Sequence, residues 1–306
     1  MLLVLKDYLR LHFLVLLWGF TAILGKLISL PPVELVFWRT FLATVGLAAL
    51  LVIRKQSWNI KPADVLRLLS VGVLVAIHWI TFFLAARLSS VSVCLAGMAT
   101  LALWASLLEP LVLWRRVRIY EVGLGLLTMV GLYLVSQAEL DQLLGLGVAI
   151  ISAGLSALFS VLNSKLVKQH SPLRLTFYEM LGACLAIALF LPVYKQYFTA
   201  GAGLHLVPAT LDWVWLFVLS GACTVYAFSS SVELMKRLSA FVVNLTINLE
   251  PVYGIILAVL IFGAQEKMSL NFYLGTLVIL FSVLVHPVLD QWNQRRRKPA
   301  PVEAVL

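Results

Sequence analysis

The sequence predicts an all-α integral membrane protein, with ten transmembrane helices forming two inverted five-helix repeats and both termini cytoplasmic. Three observations carry this. Of 306 residues, 62% are hydrophobic and only 12% charged, against about 45–50% apolar and about 25% charged in a soluble domain. Apolar runs of membrane-crossing length recur ten times along the chain. Lysine and arginine gather in alternate connecting segments, the pattern of a chain that threads a bilayer back and forth.

These observations also exclude. A helix needs about 20 apolar residues to cross a hydrocarbon core of about 30 Å, so ten crossings use about two-thirds of the chain and leave no room for a soluble catalytic domain. The net charge of +9 is scattered in short clusters between apolar runs, so no nucleic-acid partner is expected. Cys94, Cys184 and Cys223 lie inside apolar runs without metal-ligand spacing; neither a disulfide, a metal nor a cofactor is expected. No HExxH, Walker or GxSxG motif occurs, which removes the common hydrolase and ATP-driven pump signatures.

The first run, 11–29, follows Lys6, Asp7 and Arg10. It has the outline of a signal peptide, but no small-residue cleavage pattern follows and a second run comes at once, so it reads as a retained helix. Pro31-Pro32 opens the second run, 33–53, and the stretch Arg54–Arg67 leads into the third, 66–86. The fourth, 91–114, stops at Arg115–Arg118, and the fifth spans 119–136. After Glu139-Leu140-Asp141 come 143–166, 173–194, 211–232, 239–263 and 270–289, divided by Gln169–Pro172, Thr199–Pro208 and Lys236-Arg237. In hydrocarbon every backbone polar group needs an internal partner, so continuous runs of this length are helices. A barrel would show alternating segments of about 9–11 residues instead.

With the N-terminus inside, cytoplasmic segments hold 18 Lys and Arg and external ones 4, Arg39 lying within a span. The two halves are also alike. Arg87-Leu88-Ser89 matches Arg237-Leu238-Ser239 and Leu124-Gly125 matches Leu274-Gly275 at a shift of 150; Lys26, Pro32 and Trp38 match Lys165, Pro172 and Tyr178 at a shift near 140. Five helices per copy is an odd number, so the second copy is upside down. The units are 11–137 and 143–289, followed by a basic cytoplasmic tail, 290–306. In that tail Arg295-Arg296-Arg297-Lys298 reads as a stop at the membrane surface, with contact to anionic lipid as the alternative. Inverted repeats are the architecture of alternating-access carriers that bind substrate near the midplane. The expected partners are therefore a small-molecule substrate and membrane lipids, with monomer and homodimer left open.

The segments Trp18-Gly19-Phe20-Thr21-Ala22-Ile23-Leu24-Gly25-Lys26 and Phe37-Trp38-Arg39-Thr40-Phe41-Leu42-Ala43 resemble the first two helices of the EamA family of the drug/metabolite transporter superfamily. Leu249-Glu250-Pro251-Val252-Tyr253, Phe262-Gly263-Ala264-Gln265-Glu266 and Gly275 are similar to its ninth helix, following loop and tenth helix. The resemblance covers both units. It departs after the fourth helix, where Arg115-Arg116 replaces the usual acidic residue and Glu109-Pro110 lies inside the helix. It implies a bacterial inner-membrane carrier of amino acid-like, amine or drug-like metabolites, by family habit an exporter. It also implies a cavity ringed by helices 1–4 and 6–9, with 5 and 10 peripheral.

Ionisable groups inside the bilayer cost about 2.5–3.5 kcal/mol on insertion scales, so each calls for a reason. Glu250, beside the expected Pro251 kink, could bind a cationic group or carry a proton; a hydrogen-bonded packing role is the alternative. His78, with Trp79 and Phe82 nearby in sequence, could relay protons or orient substrate. Glu109 could gate the cytoplasmic end of helix 4, although small neighbours also favour a helix–helix hydrogen bond. Arg39 would lie toward the outer end of helix 2, in a vestibule with Trp18 and Trp38, where it could attract an anionic group. Glu179, its repeat counterpart, would lie at the other end.

Helix 8 carries the polar stripe Tyr226, Ser229, Ser230 and Glu233, a candidate pathway lining. On helix 9, Asn244 and Asn248 share a face. Asn248 and Glu250 are about 200° apart on a regular helix, so both rows cannot line one cavity unless Pro251 reorients them. Trp104 and Tyr253 complete the deep aromatic candidates. The reading is a secondary carrier, proton-coupled or gradient-driven. A membrane-embedded enzyme acting on a lipid-like substrate and a non-transporting scaffold are the alternatives; the loops are short for the first, and the mid-span His78 and Glu250 are superfluous for the second.

Overall fold

The structure, a computed structural model, describes residues 2–114, 116–138, 140–199, 201, 203–247, 249–263 and 269–297. Arg115, Asn248, Ala264-Gln265-Glu266 and Lys298 lie outside the described residues. In chain order the helices are α1 (Leu2–Gly19), α2 (Thr21–Leu27), α3 (Pro32–Ile53), α4 (Pro62–Leu88), α5 (Val91–Met98), α6 (Leu101–Leu113) and α7 (Ile119–Ala138). The second half contributes α8 (Leu143–Leu166), α9 (Pro172–Tyr197), α10 (Thr210–Ser220), α11 (Ala227–Leu234), α12 (Ala240–Ile247), α13 (Glu250–Phe262) and α14 (Leu270–Arg297).

Among the described residues, seven segments are long and apolar enough to cross a membrane: 5–27, 32–53, 62–88, 91–113, 143–166, 172–197 and 210–234. Three shorter apolar stretches, 119–128, 252–262 and 270–282, occupy the places of the fifth, ninth and tenth runs. Helix starts follow the local chemistry. Pro32, Pro62 and Pro172 each open a helix, where the missing N–H costs nothing. Ser90 caps α5 by accepting from the Val93 amide at 3.1 Å, and Ser171 caps α9 in the same way.

Four spans depart from the continuous rods expected of them. The first begins before residue 11: Lys6, Asp7 and Arg10 belong to α1. Partners make this possible, since Arg237 Nε and Nη2 donate to the Asp7 carboxylate at 2.6 and 2.7 Å and Arg10 meets Glu233 at 2.9 Å. The same span breaks at Phe20, between α1 and α2, and the fourth breaks at Ala99-Thr100, between α5 and α6. Span nine is interrupted between α12 and α13, so Glu250-Pro251 starts a helix and does not kink one. Span eight passes through a π-helical turn, Gly221–Tyr226, between α10 and α11. Such irregular backbone is tolerated at membrane depth only where protein or a cavity, not lipid, receives the freed polar groups.

The two halves of the sequence interleave. α4 packs between α8 and α9, α3 lies on α9, α6 on α8, α1 on α13 and α7 on α14. Glycine sets the closest of these crossings. A Cβ on Gly72 of α4 would come within 2.1 Å of the Glu179 carbonyl, and one on Gly182 of α9 within 2.4 Å of the Leu69 carbonyl, so each helix presents its bare backbone to the other. Gly131 of α7 approaches the Gly275 carbonyl of α14 likewise.

Both ends of the bundle are tied. At the end carrying the basic turns, the Asp7–Arg237 pair joins the start of α1 to the turn after α11. There Ser171 donates to Gln56 at 3.0 Å and Arg174 to the Asn59 carbonyl at 3.1 Å. At the opposite end Arg87 donates to the carbonyls of Gly25, Ile28 and Leu30, and the Asp212 carboxylate accepts from the amide and hydroxyl of Ser29. Arg87 and Arg237, matched by the internal repeat, thus secure opposite ends.

Candidate functional site

The breaks in spans one, four and nine and the π turn in span eight gather around one cavity of about 70 Å³. Its polar lining includes Arg39, His78, Asn244 and Glu250; its aromatic walls are Trp18, Trp79, Phe82, Phe159 and Phe228. Thr21, Ser156, Ser160, Ser231 and the apolar Met98, Met235 and Ile247 complete it.

Arg39 projects from α3 and is 2% exposed. Its Nε–H donates to Thr224 Oγ1 at 2.9 Å, and its guanidinium carbon lies 3.6 Å from the Trp79 ring centroid. The π turn makes this seat. Its extra residue frees backbone groups from the regular ladder, and the hydroxyl of Thr224 donates to the Leu219 carbonyl while accepting from Arg39. The Cys223 carbonyl accepts from Trp18 Nε1 at 3.0 Å. Glu250 opens α13 and is 6% exposed. Arg39 and Glu250 both line the cavity, and among the described residues no ion pair within 4 Å joins them. The guanidinium and the carboxyl group therefore each retain capacity for a further partner.

His78 Nδ1 lies 2.9 Å from the Ser152 carbonyl on α8 and 2.8 Å from its hydroxyl. A carbonyl only accepts, so Nδ1 carries the hydrogen. The Ser152 hydroxyl in turn donates to the His78 carbonyl at 2.9 Å. When the ring is neutral, Nε2 is then its acceptor. Asn244 Oδ1 accepts from Ser160 at 2.8 Å, and its Nδ2 is a buried donor without an acceptor among the described residues.

The structure thus unites seven of the sequence candidates: Trp18, Arg39, His78, Trp79, Phe82, Asn244 and Glu250. Trp18 and Arg39 are not in a separate vestibule; they share the cavity of His78 and Glu250. Asn244, near the end of α12, and Glu250, at the start of α13, line it together; the facing of Asn248 relative to Glu250 lies outside the described residues.

Other candidates sit elsewhere. Trp38 donates to the Leu206 carbonyl at 2.8 Å and meets Trp213 edge-on, tying down the loop before α10. Trp104 packs over Gly154 of α8, and Tyr253 lies against Gly19 of α1. Glu109 is buried on α6, outside the cavity lining. The stripe on span eight faces α1: Tyr226 meets Phe13, and Ser230 accepts from Arg10. Ser229 is not on the cavity either, whereas its neighbours Phe228 and Ser231 are. Glu179 accepts from Asn163 at 3.3 Å, away from Arg39. Asn248 lies outside the described residues.

Sequence reasoning missed Thr224 and the α8 serines. Ser152, Ser156 and Ser160 recur every four residues, a helical face that could have been read. Among the described residues no three His, Cys, Asp or Glu side chains gather to hold a metal.

The arrangement is a small, buried, aromatic-walled site with one cation and one carboxyl group, set between sequence halves whose outer ends are separately tied. Comparisons with known proteins bear on the fold and the family. No curated protein matches the chain. A crystal structure of a protein superposes with a TM-score of 0.70 over 96% of this chain and 99% of that one; at 17% identity this is a likeness of fold alone. The EamA-like transporter family matches the sequence twice, over 8–137 and 143–286, the two units that the internal repeat delimits. With both units matched over almost the whole chain, this protein belongs to the EamA-like transporter family, within the drug/metabolite transporter superfamily.

Proposed function

We propose that this chain is a secondary transporter moving a small amphoteric molecule across a bacterial inner membrane by alternating access. The substrate is amino acid-like: an anionic group, a cationic group and an apolar body. One observation carries the reading. Arg39 and Glu250 face the same buried cavity, unpaired with each other, between aromatic walls suited to an apolar body or a cation. A carboxylate would meet Arg39 and an ammonium Glu250, with His78 Nε2 and Asn244 Nδ2 as further hydrogen-bonding groups.

The transport cycle belongs to the same proposal. Ten crossings place both termini in the cytoplasm, as the Lys and Arg distribution favours. The Asp7–Arg237 tie would then close the cytoplasmic side, and the Arg87 and Asp212 ties the external side. Alternating access requires one set to open while the other holds, and the repeat-related positions of Arg87 and Arg237 suit that exchange. Glu250 is the group that would carry a coupling proton. Export rests on the family likeness.

The test uses purified protein in liposomes with a panel of labelled amino acids, amines and organic acids. We expect saturable transport confined to the amphoteric class. Arg39→Ala should lower it at least tenfold, and Glu250→Gln should remove its dependence on a pH gradient. Transport of simple amines or acids with equal efficiency, or unchanged rates in Arg39→Ala, would overturn the reading.

A further inference from the structure

A larger recess lies away from the central cavity, at the basic end of the bundle. It has a volume of about 390 Å³ and opens between the turn leading into α7 and the last turns of α14. Arg118, Tyr120, Trp292 and Asn293 form its polar side, and Ile119 and Leu289 its apolar side. Arg118 Nη1 donates to Tyr120 Oη at 3.0 Å and to Glu121 Oε1 at 3.4 Å, which holds the guanidinium at the rim with 34% of the side chain exposed.

The surrounding sequence is strongly cationic. Residues 115–121 hold three arginines and one glutamate, and 289–298 hold three arginines, one lysine and one aspartate. A bare anion would be satisfied by Arg118 alone, but the recess has a second, apolar character. Ile119 is 87% exposed and Trp292 54% exposed, and tryptophan is a residue type that favours the headgroup region. From Leu289 an exposed ridge continues along α14 through Val288, Leu284 and Phe281, spaced at three and four residues on one helix face. A ligand that uses all of this has an anionic head and hydrocarbon chains.

We infer that this recess binds an anionic phospholipid, with the headgroup phosphate against Arg118 and the acyl chains along the Val288–Leu284–Phe281 ridge. The inference needs only that the chain resides in a membrane; it stands apart from the choice of substrate and from Arg39 and Glu250. Its consequence is mechanical. A bound lipid would bridge α7 and α14, the peripheral helix pair, at the end where the basic tail begins.

Delipidated protein in detergent provides the test, read by melting temperature and by native mass spectrometry. Phosphatidylglycerol should raise the melting temperature saturably and remain bound, while phosphatidylcholine at equal concentration and inorganic phosphate should not. Arg118→Gln should raise the half-maximal phosphatidylglycerol concentration at least tenfold. Asn293→Leu, which leaves the Arg118–Glu121 pair intact, provides a second variant and should weaken binding in the same direction. Equal stabilisation by both lipids, reproduction of the effect by phosphate alone, or an undiminished response in both variants would each overturn the inference.

Discussion

Arg39 is held in an apolar bundle by geometry as much as by charge. Its guanidinium lies over Trp79 while its Nε–H reaches Thr224, and a lysine ammonium offers neither a planar stacking face nor that fork of donors. Arg39→Lys should therefore behave as a loss of function although it keeps the charge. We expect ligand affinity, measured as thermal stabilisation by the transported compound, to fall at least tenfold; an unchanged affinity would show that charge alone matters. His78 illustrates the same dependence on a neighbour, since Ser152 decides which ring nitrogen the cavity meets. Arg237, in the turn after α11, holds its proton more firmly than an ordinary arginine because the Asp7 carboxylate accepts two of its hydrogen bonds.

At the scale of elements, close packing and interruption divide the work. The α4–α9 crossing rests on Gly72 and Gly182, where an added Cβ would meet backbone and not a movable side chain. Overpacking of this kind costs about 1–3 kcal/mol. Gly72→Val should accordingly lower the melting temperature of the detergent-solubilised protein by several degrees, and a melting curve identical to the parent's would refute the crossing geometry. The interrupted spans do the opposite work: they leave polar backbone and side chains beside the cavity. Hydropathy reads the length of a run well because burial sums over many residues. It does not register a break such as Ala99-Thr100, where neither glycine nor proline marks the spot. The Glu250-Pro251 break was half legible, as proline marked the place but not whether the helix would bend or restart.

For the whole molecule, the two end ties differ in kind. Arg87 donates to neutral carbonyls at the end of α2 and in the loop after it, while Arg237 pairs with a carboxylate and its own side chain is 47% exposed. Partly exposed ion pairs contribute about 0.2–1 kcal/mol and weaken with salt, so the Asp7–Arg237 tie is the easier of the two to release. Asp7→Arg would place a third cation beside Arg10 and Arg237 and open that end. In a variant with Cys94, Cys184 and Cys223 replaced by alanine, a cysteine introduced at Ser231 should then react several-fold faster with a charged thiol reagent. Adding Arg237→Asp should slow it again. If the double exchange reacts as fast as Asp7→Arg alone, the two residues are not a gate.

The sequence by itself determined membrane residence, the order of the helical segments and the two-unit organisation. Each depends on one-dimensional properties: run length against bilayer thickness and similarity between halves. It also supplied most of the chemistry of the cavity, because an arginine, a histidine or a glutamate in an apolar run is costly wherever it points. Only the tertiary structure decided which of these groups share a cavity. Trp18 and Arg39 come together because the π turn of span eight receives both, Trp18 through the Cys223 carbonyl and Arg39 through the Thr224 hydroxyl. Tyr226 turns toward Phe13 of α1 instead of the cavity. Facing changes by about 100° with each residue, and irregular turns are held in place by partners far away in the chain, such as Trp18 on Cys223.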